Sequence, residues 1–190
     1  MRAIVLASAS AGRSELLRRT GLAFSIDPSD CDETTDASTP GEHVRMLALR
    51  KARTVADRHP DALVIGADTV IELDGAILGK PDSPAGAEQM LARLAAQFHR
   101  LMTGIAVVDS ADGRSYCGVE TTLVHIRQLS PEQIRAYVAS GEPMGKSGSY
   151  DIQGLGATII DRIEGDFSNV VGLPMAHLAR ALESFGVRLP

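Results

Sequence analysis

A group of small, polar and basic residues follows the first apolar run of the chain. The stretch LASASAGRSELL, residues 6–17, contains Ser8, Ser10, Gly12 and Arg13 and leads into a helix-like segment. The N-terminus of a helix offers unpaired N–H groups and a partial positive charge, which bind phosphate. Hydroxyl donors, a glycine that admits close approach and a guanidinium that can hold two oxygens would strengthen such a site. The simpler alternative is that Ser10 only caps the helix while Arg13 is solvated.

Charged residues further along the chain could complete a catalytic site. Asp68 ends the apolar run ALVIGAD, and a carboxylate at the carboxyl end of a buried strand lies where α/β proteins hold ligands. It is a candidate metal ligand or general base, or else a turn aspartate. Lys51 borders the apolar stripe of its predicted helix, so its ammonium either points into a cleft or reaches water along the helix surface. Lys80, which Pro81 keeps in extended backbone, and Glu33, in an acidic loop, are weaker candidates on their own.

Three known kinds of site are excluded by the sequence. The stretch GEPMGKS, residues 141–147, is one residue short of the phosphate loop G-x-x-x-x-G-K-[ST] and follows a predicted helix instead of a strand. The five histidines lack the spacing of a zinc-protease helix. The sequence also has no G-x-S-x-G nucleophile elbow.

The first half of the chain alternates strand and helix patterns. Apolar periodicity and capping signals predict strands at 3–7, 22–27 and 62–67 and helices at 11–20 and 40–58. Thr39-Pro40-Gly41-Glu42 reads as a capping box with proline at the first helical position. Asp74-Gly75 is a strong turn signal between two short strands, at 70–73 and 76–78.

The second half mixes hairpin strands with helices. The patterns predict helices from 84, at 131–141 and at 174–185, and strands at 99–109, 114–127 and 157–163. Asp112-Gly113 joins the two long strands, and Ser130 opens a second capping box. This order of βα units followed by hairpin strands predicts an α/β fold with a mixed sheet.

Composition excludes several classes of protein. Hydrophobic residues make up 44% and charged residues 23%, which is ordinary for a globular domain. A net charge of −5 and the lack of tryptophan argue against binding a nucleic-acid polymer, and no stretch approaches the roughly 20 apolar residues of a membrane helix. Cys31 and Cys117 have no paired spacing, which suits a reducing cytoplasm. An anionic ligand must therefore be held by locally gathered cations.

Taken in order, the motifs resemble those of the Maf family of nucleoside triphosphate pyrophosphatases, also described as septum-formation inhibitors. Each motif alone is weak evidence, whereas their order and spacing together are specific and cover nearly the whole chain. The motifs are the Lys51-Ala52 pair, LASASAGRSELL at 6–17, GADTVIELDGAILGKP at 66–81, TGIAVV at 103–108, GKSGSYDIQGLGA at 145–157 and GDFSNVVGLP at 165–174.

The resemblance implies one Maf-like domain over residues 1–190. Its fold would be an elongated mixed β-sheet flanked by helices, in two lobes with a central cleft, as in Maf- and ITPase-like proteins. The implied reaction is hydrolysis of a nucleoside triphosphate to the monophosphate and pyrophosphate, with a divalent cation, Mg²⁺ or Mn²⁺, as cofactor. It would remove unwanted nucleotides from the pool, and the family commonly forms homodimers.

The resemblance also implies a role for each candidate residue. Asp68 matches the proton acceptor of the family and, with the acidic Glu33, is the expected metal ligand. The other matches are expected to bind substrate: Ser8, Ser10, Arg13, Lys51 and Lys80.

Three positions linked to base choice in the family correspond to Gly12, Thr69 and Gln153. Thr69 and Gln153 match the branch that acts on dTTP and UTP, which usually has arginine where this chain has Gly12. The branch that acts on 7-methyl-GTP usually has tryptophan there, and glutamate in place of Gln153. Two positions of three favour dTTP and UTP, and modified nucleotides are further candidates. A 7-methyl-GTP pyrophosphatase and a nucleotide-binding regulator of cell division without catalysis remain the alternatives.

Overall fold

The strands of the protein form one seven-stranded β-sheet in a computed structural model that describes residues 2–189. The strand order is β2-β1-β3-β5-β6-β7, and β4 pairs with β3 outside this path. β1 runs parallel to β2 and β3, whereas the β3–β4 and β6–β7 pairs are antiparallel, so the predicted mixed sheet is confirmed. The strands are β1 Ala3–Leu6, β2 Ser25–Ile26, β3 Ala62–Leu73, β4 Ala76–Leu78, β5 Phe98–Asp109, β6 Ser115–Ile126 and β7 Ile160–Glu164.

Six α-helices accompany this sheet in the described part of the chain. They are α1 Ala11–Arg18, α2 Pro40–Ala56, α3 Pro84–Leu94, α4 Pro131–Ala139, α5 Phe167–Val171 and α6 Met175–Glu183. Proline opens α2, α3 and α4, each directly after a hydroxyl residue whose side chain accepts a helix N–H. Searched over residues 2–189, no helix has the length and apolar character that a membrane crossing requires.

Local signals predicted the helix starts better than the strand limits. The capping box at Ser130 is complete, but at Thr39 only half is present, because the Glu42 carboxylate accepts from Ser38 N instead of Thr39 N. The strand predicted at 22–27 shrinks to Ser25–Ile26, and the one predicted at 157–163 begins only at Ile160, after a 3₁₀ turn. The short helix α5 was not predicted, since five residues are too few for a periodic pattern.

The largest correction concerns the strand that contains Asp68. The pattern predicted one strand ending before Asp68 and a separate hairpin strand from Val70. In the structure β3 is one strand of 12 residues, so Asp68 lies in its middle. The single aspartate does not interrupt the strand because apolar residues continue on both sides and its carboxylate has a buried partner.

The chain divides into two compact units. The first comprises the chain up to Asp68, Thr103–Glu120 and the chain from Gly172, and the second comprises Thr69–Met102 and Thr121–Val171. The core of the first unit includes small residues from β1, α2, β3 and β5, among them Ala48, Ala52 and Val64. Small side chains allow α2 to approach the strands closely, which fixes the position of its polar residues.

The second unit has its own apolar core. Leucines of α3 and apolar residues of α4 pack with buried positions of β3, β5 and β6 around Ile71, Leu91 and Val124. The β3–β4 hairpin turns at Asp74 and Gly75, both with positive φ, as predicted for a type I′ turn. Sixteen buried residues form this cluster.

Candidate functional site

The first unit holds a buried lysine between two carboxylates. Lys51 Nζ lies 2.7 Å from Asp68 Oδ1 and 2.7 Å from Glu33 Oε1. The side chains of Lys51 and Asp68 are only 10% and 11% exposed, whereas that of Glu33 is 61% exposed. The sequence left open whether Lys51 reaches water along its helix, and the structure shows its ammonium directed to the buried Asp68.

Close packing of α2 on β3 brings Lys51 to Asp68. Gly66 and Asp68 are two residues apart on β3, so they face the same side of the sheet. At Gly66 a Cβ would overlap the Ala48 carbonyl oxygen and would lie 2.9 Å from the Ala52 Cβ. Lys51 is three residues after Ala48 and thus on the same face of the helix. The glycine therefore permits the approach that allows the ammonium to reach the carboxylate.

An arginine next to Lys51 fixes the loop that carries Glu33. Arg50 Nη1 donates to the carbonyls of Asp32 and Thr34, each at 2.7 Å, on either side of Glu33. The Glu33 carboxylate is thereby held near α2 although its loop has no regular secondary structure. Sequence reasoning missed Arg50, whose only signal was that it precedes Lys51.

The serine turn before α1 is tied together internally. Ser10 is the N-cap of α1 and accepts from Arg13 N, as in the simpler alternative. Ser8 Oγ, which is buried, accepts from Ser10 N and from Arg13 Nη1, both at 3.2 Å. Ser8, Ser10 and Arg13 thus form one hydrogen-bonded group at the N-terminus of α1, with Gly12 in the first turn.

Arg13 is only partly exposed, and its guanidinium connects distant parts of the first unit. Its Nε donates to Gly172 O at 2.8 Å and its Nη1 donates to Ala67 O at 2.9 Å. Ala67 directly precedes Asp68, so Arg13 ties the α1 turn to the part of β3 that carries the catalytic candidate. Burial lowers the pKa of the Arg13 guanidinium, and the negative charges of Asp68 and Glu33 oppose that effect. An arginine side chain nonetheless keeps its charge in proteins.

The remaining predicted site residues belong to the second unit. Thr69 follows Asp68 on β3 and is half-buried. Lys80 is exposed and follows β4 in the chain. Gln153 is exposed in the loop before the 3₁₀ turn Leu155–Thr158, and its N–H donates to Asp151 Oδ1 at 2.9 Å.

Of the predicted site residues, one set forms a connected cluster within the first unit. Lys51 forms ion pairs with both Glu33 and Asp68, and Arg13 donates to the backbone carbonyl one residue before Asp68. The cluster offers two fixed cations and two carboxylates. Such a group can orient water at a carboxylate and place positive charge beside a polyanion.

Comparisons with known proteins show which proteins this chain is similar to. A family model described as Maf-like protein matches residues 3–185. The dTTP/UTP pyrophosphatase of Moorella thermoacetica is 50% identical over 188 residues, covering 98% of this chain and 97% of that protein. The proteins of the same name from Pelotomaculum thermopropionicum and Symbiobacterium thermophilum are 48% and 46% identical over 187 residues. These cover 98% of this chain and 98% and 95% of the relatives. Among solved structures, the Staphylococcus aureus Ham1 protein matches with a TM-score of 0.47 and 20% identity, over 66% of this chain and 72% of that one.

Proposed function

The chain belongs to the Maf family, and we propose that it is a nucleoside triphosphate pyrophosphatase that hydrolyses dTTP and UTP to the monophosphate and pyrophosphate. The observation that carries the proposal is the buried Asp68 carboxylate, held 2.7 Å from the Lys51 ammonium beside Glu33 and Arg13. A protein that only binds nucleotides has no need of a fixed carboxylate among the cations. A hydrolase needs a group that receives the proton of the attacking water.

The proposed reaction determines what the site must supply. Water attacks the α-phosphorus, the bond to the bridging oxygen breaks, and pyrophosphate leaves with the electron pair. Negative charge grows on the bridging and leaving oxygens in the transition state. Cations that are already fixed in place stabilise that charge without reorganising. Lys51 satisfies this requirement, because Asp68 and Glu33 hold its ammonium in one position.

Asp68 is the proposed acceptor of the water proton. Its Oδ1 is bound to Lys51, so the carboxylate is oriented before a substrate arrives. Arg13 contributes differently from the two-oxygen grip expected from the sequence, because its Nε and Nη1 already donate to protein oxygens. We assign it the roles of holding β3 at Asp68 and adding positive charge.

The local charges favour a divalent cation as cofactor. Lys51 and Arg13 are balanced by Asp68 and Glu33, so this cluster alone offers a triphosphate no net positive charge. Both carboxylates approach one ammonium, and two carboxylates together with phosphate oxygens and waters are the usual donors for Mg²⁺. Within residues 2–189 no set of three or more histidine, cysteine or acidic residues is arranged to enclose a metal. Mg²⁺ or Mn²⁺, held by Asp68 and Glu33, would neutralise phosphate charge and polarise the P–O bonds.

We propose that Gly12, Thr69 and Gln153 determine which nucleotide base the site selects. Thr69 and Gln153 match the branch that acts on dTTP and UTP, and the names of relatives at 46–50% identity agree with that branch. The amide of Gln153 offers one donor group and one acceptor, as the N3–H and O4 edge of uracil and thymine requires. Substrate binding by Lys80, formation of a homodimer and an effect on septation stay predictions from the resemblance.

A pyrophosphate-release assay tests the proposal. The purified chain is supplied with dTTP, UTP, dCTP, CTP, GTP and 7-methyl-GTP, each with Mg²⁺, with Mn²⁺ and with a chelator. We expect release from dTTP and UTP that stops when the metal is removed. Preferential release from 7-methyl-GTP would favour the other branch. Nucleotide binding without release would favour the regulator and overturn the proposed function.

A further inference from the structure

The loop that contains Gln153 is fastened by a carboxylate to which sequence reasoning assigned no role. Glu142 lies in the turn after α4, within the stretch that was rejected as a phosphate loop. Its Oε2 accepts from Leu155 N at 2.7 Å, and its Oε1 accepts from Gly156 N at 2.8 Å and from the Tyr137 hydroxyl at 2.7 Å. Both carboxylate oxygens are therefore bound, and two of the three bonds come from backbone N–H groups two and three residues after Gln153.

The glycines of this loop fit the carboxylate closely. At Gly154 a Cβ would overlap the Glu142 carboxylate, and at Gly156 a Cβ would lie 2.8 Å from the Tyr137 oxygen. A side chain at either position would push the backbone away from Glu142 or Tyr137. The GLG sequence at 154–156 therefore permits the loop to wrap around this anchor.

The other side of Gln153 is also fixed. Asp151 Oδ1 accepts from Gln153 N at 2.9 Å, and Asp151 Oδ2 pairs with Lys146 Nζ at 2.7 Å. Tyr137 connects the two sides, because its hydroxyl donates to Glu142 and accepts from Asp151 N at 3.2 Å. Burial, followed by the bond to Glu142, raises the pKa of this tyrosine, so it remains a donor. The backbone of Gln153 is thus held on both sides while its side chain is exposed.

We propose that Glu142 is a positioning residue for base selection, which acts by holding the backbone of the Gln153 loop through Leu155 N, Gly156 N and Tyr137. The inference rests on the proposed function, in which Gln153 reads the base. If the backbone of Gln153 is already fixed before the nucleotide binds, less conformational entropy is lost on binding. Bonds to an ionised carboxylate are about twice as strong as neutral ones, which suits an anchor in a loop without regular structure.

Two variants weaken the hydrogen bonds of Glu142 while keeping most of the side-chain volume. Glu142→Gln keeps the shape but replaces one acceptor oxygen by an NH₂ group, and Tyr137→Phe removes only the hydroxyl. We expect Glu142→Gln to raise KM for dTTP about 10-fold while kcat changes little, and to lower the ratio of kcat/KM for dTTP over dCTP. Tyr137→Phe should change the same quantities in the same direction to a smaller extent. The matched control is Glu132→Gln, because Glu132 is an exposed carboxylate of α4 paired with Arg135.

A double-mutant cycle separates positioning from general weakening. If Glu142 acts through Gln153, Glu142→Gln should have little further effect on the dTTP/dCTP ratio once Gln153→Ala is present. Amide hydrogen exchange at Leu155 and Gly156 should also accelerate in Glu142→Gln and not in Glu132→Gln. A wild-type KM and ratio in Glu142→Gln, or a fully additive cycle, overturns the inference while the proposed function stands. Failure of the wild type to release pyrophosphate from dTTP and UTP overturns the proposed function itself.

Discussion

The Lys51 ammonium lies 2.7 Å from the Asp68 carboxylate, and both side chains are about nine-tenths buried. Burial removes hydration from both charges, and each relies on the other, with Glu33 as a second and more exposed partner of Lys51, to replace it. The pair therefore couples the integrity of the first unit to its proposed chemistry. Changes at one member are expected to alter both the free energy of unfolding and the rate of hydrolysis.

Removal of the lysine charge tests this coupling. Lys51→Met preserves most of the side-chain volume but leaves Asp68 without its nearest cation, so we expect a loss of about 3 kcal/mol in the free energy of unfolding. Urea unfolding measures it. Adding Asp68→Asn to that variant should recover part of the loss, since a neutral amide needs no counter-charge. Strictly additive losses in the double variant would show that the two groups do not stabilise each other.

The carboxylate of Asp68 is expected to be essential for turnover. Asp68→Asn keeps a hydrogen-bonding group of the same shape but cannot accept the proton of water, so kcat should fall at least about 100-fold. Pyrophosphate release from dTTP is the measurement. Asp61→Asn, at an exposed aspartate just before β3, is the control and should retain normal turnover. Near-normal release by Asp68→Asn would remove this residue from the mechanism.

Gly66 is expected to be required for the approach of α2. A methyl group there would meet the Ala48 carbonyl, a backbone atom that cannot rotate away. We expect Gly66→Ala to cost about 2 kcal/mol in stability and to lower activity by separating Lys51 from Asp68. Gly41→Ala is the control, because nothing lies within 4 Å of its added Cβ and alanine favours the helix. Equal melting temperatures for the two variants would contradict this account of the packing.

Local chemistry made much of the fold predictable. A serine or threonine followed directly by proline identified the starts of α2, α3 and α4, and Asp74-Gly75 identified the hairpin. These signals act within a few residues, so a single sequence contains them. The middle position of Asp68 in β3 was missed because it depends on a partner 17 residues away, which the local pattern does not show.

Non-local contacts account for what the sequence could not predict at the site. The bond from Arg13 to Gly172 spans 159 residues, and no local pattern indicates which carbonyl the guanidinium will meet. Glu142 was considered only as part of an imperfect phosphate loop, while the backbone groups that it holds lie 13 and 14 residues further on. The spacing of Gly66 and Asp68 was a usable signal, since a glycine two residues before a buried charge marks a face open to close approach.

An arginine at Gly12, which the resemblance to the dTTP/UTP branch predicts for this position, is expected to improve catalysis. Gly12 lies in the first turn of α1 beside Arg13, where a guanidinium would add a charged donor near the phosphate site that the sequence predicts at this helix N-terminus. We expect Gly12→Arg to raise kcat/KM for dTTP about 10-fold, the effect of one charge-assisted hydrogen bond. Gly12→Gln, which supplies length without charge, is the control. The same value for both variants would show that positive charge at this position has no role.

A buried histidine in the second unit is expected to make stability depend on pH. His99 is 2% exposed, its Nε2 lies 2.8 Å from the Tyr150 hydroxyl, and its buried Nδ1 has no hydrogen-bond partner among residues 2–189. Burial, and to a lesser extent the nearby His125, lowers the pKa of His99 from 6.5 to about 4. As pH falls, the imidazole of His99 therefore takes up its proton at a higher pH in the unfolded chain than in the folded one.

The sign of the effect follows from that difference. Between pH 6.5 and 4 the unfolded chain binds one more proton at His99, so the free energy of unfolding falls as pH falls through this range. The loss attributable to His99 between pH 7 and pH 5 is about 2 kcal/mol. Urea unfolding at both pH values should show that His99→Gln, which cannot titrate, loses less stability than the wild type by this amount. A loss of equal size in the two proteins would mean that His99 takes up its proton as readily in the folded state as in the unfolded one.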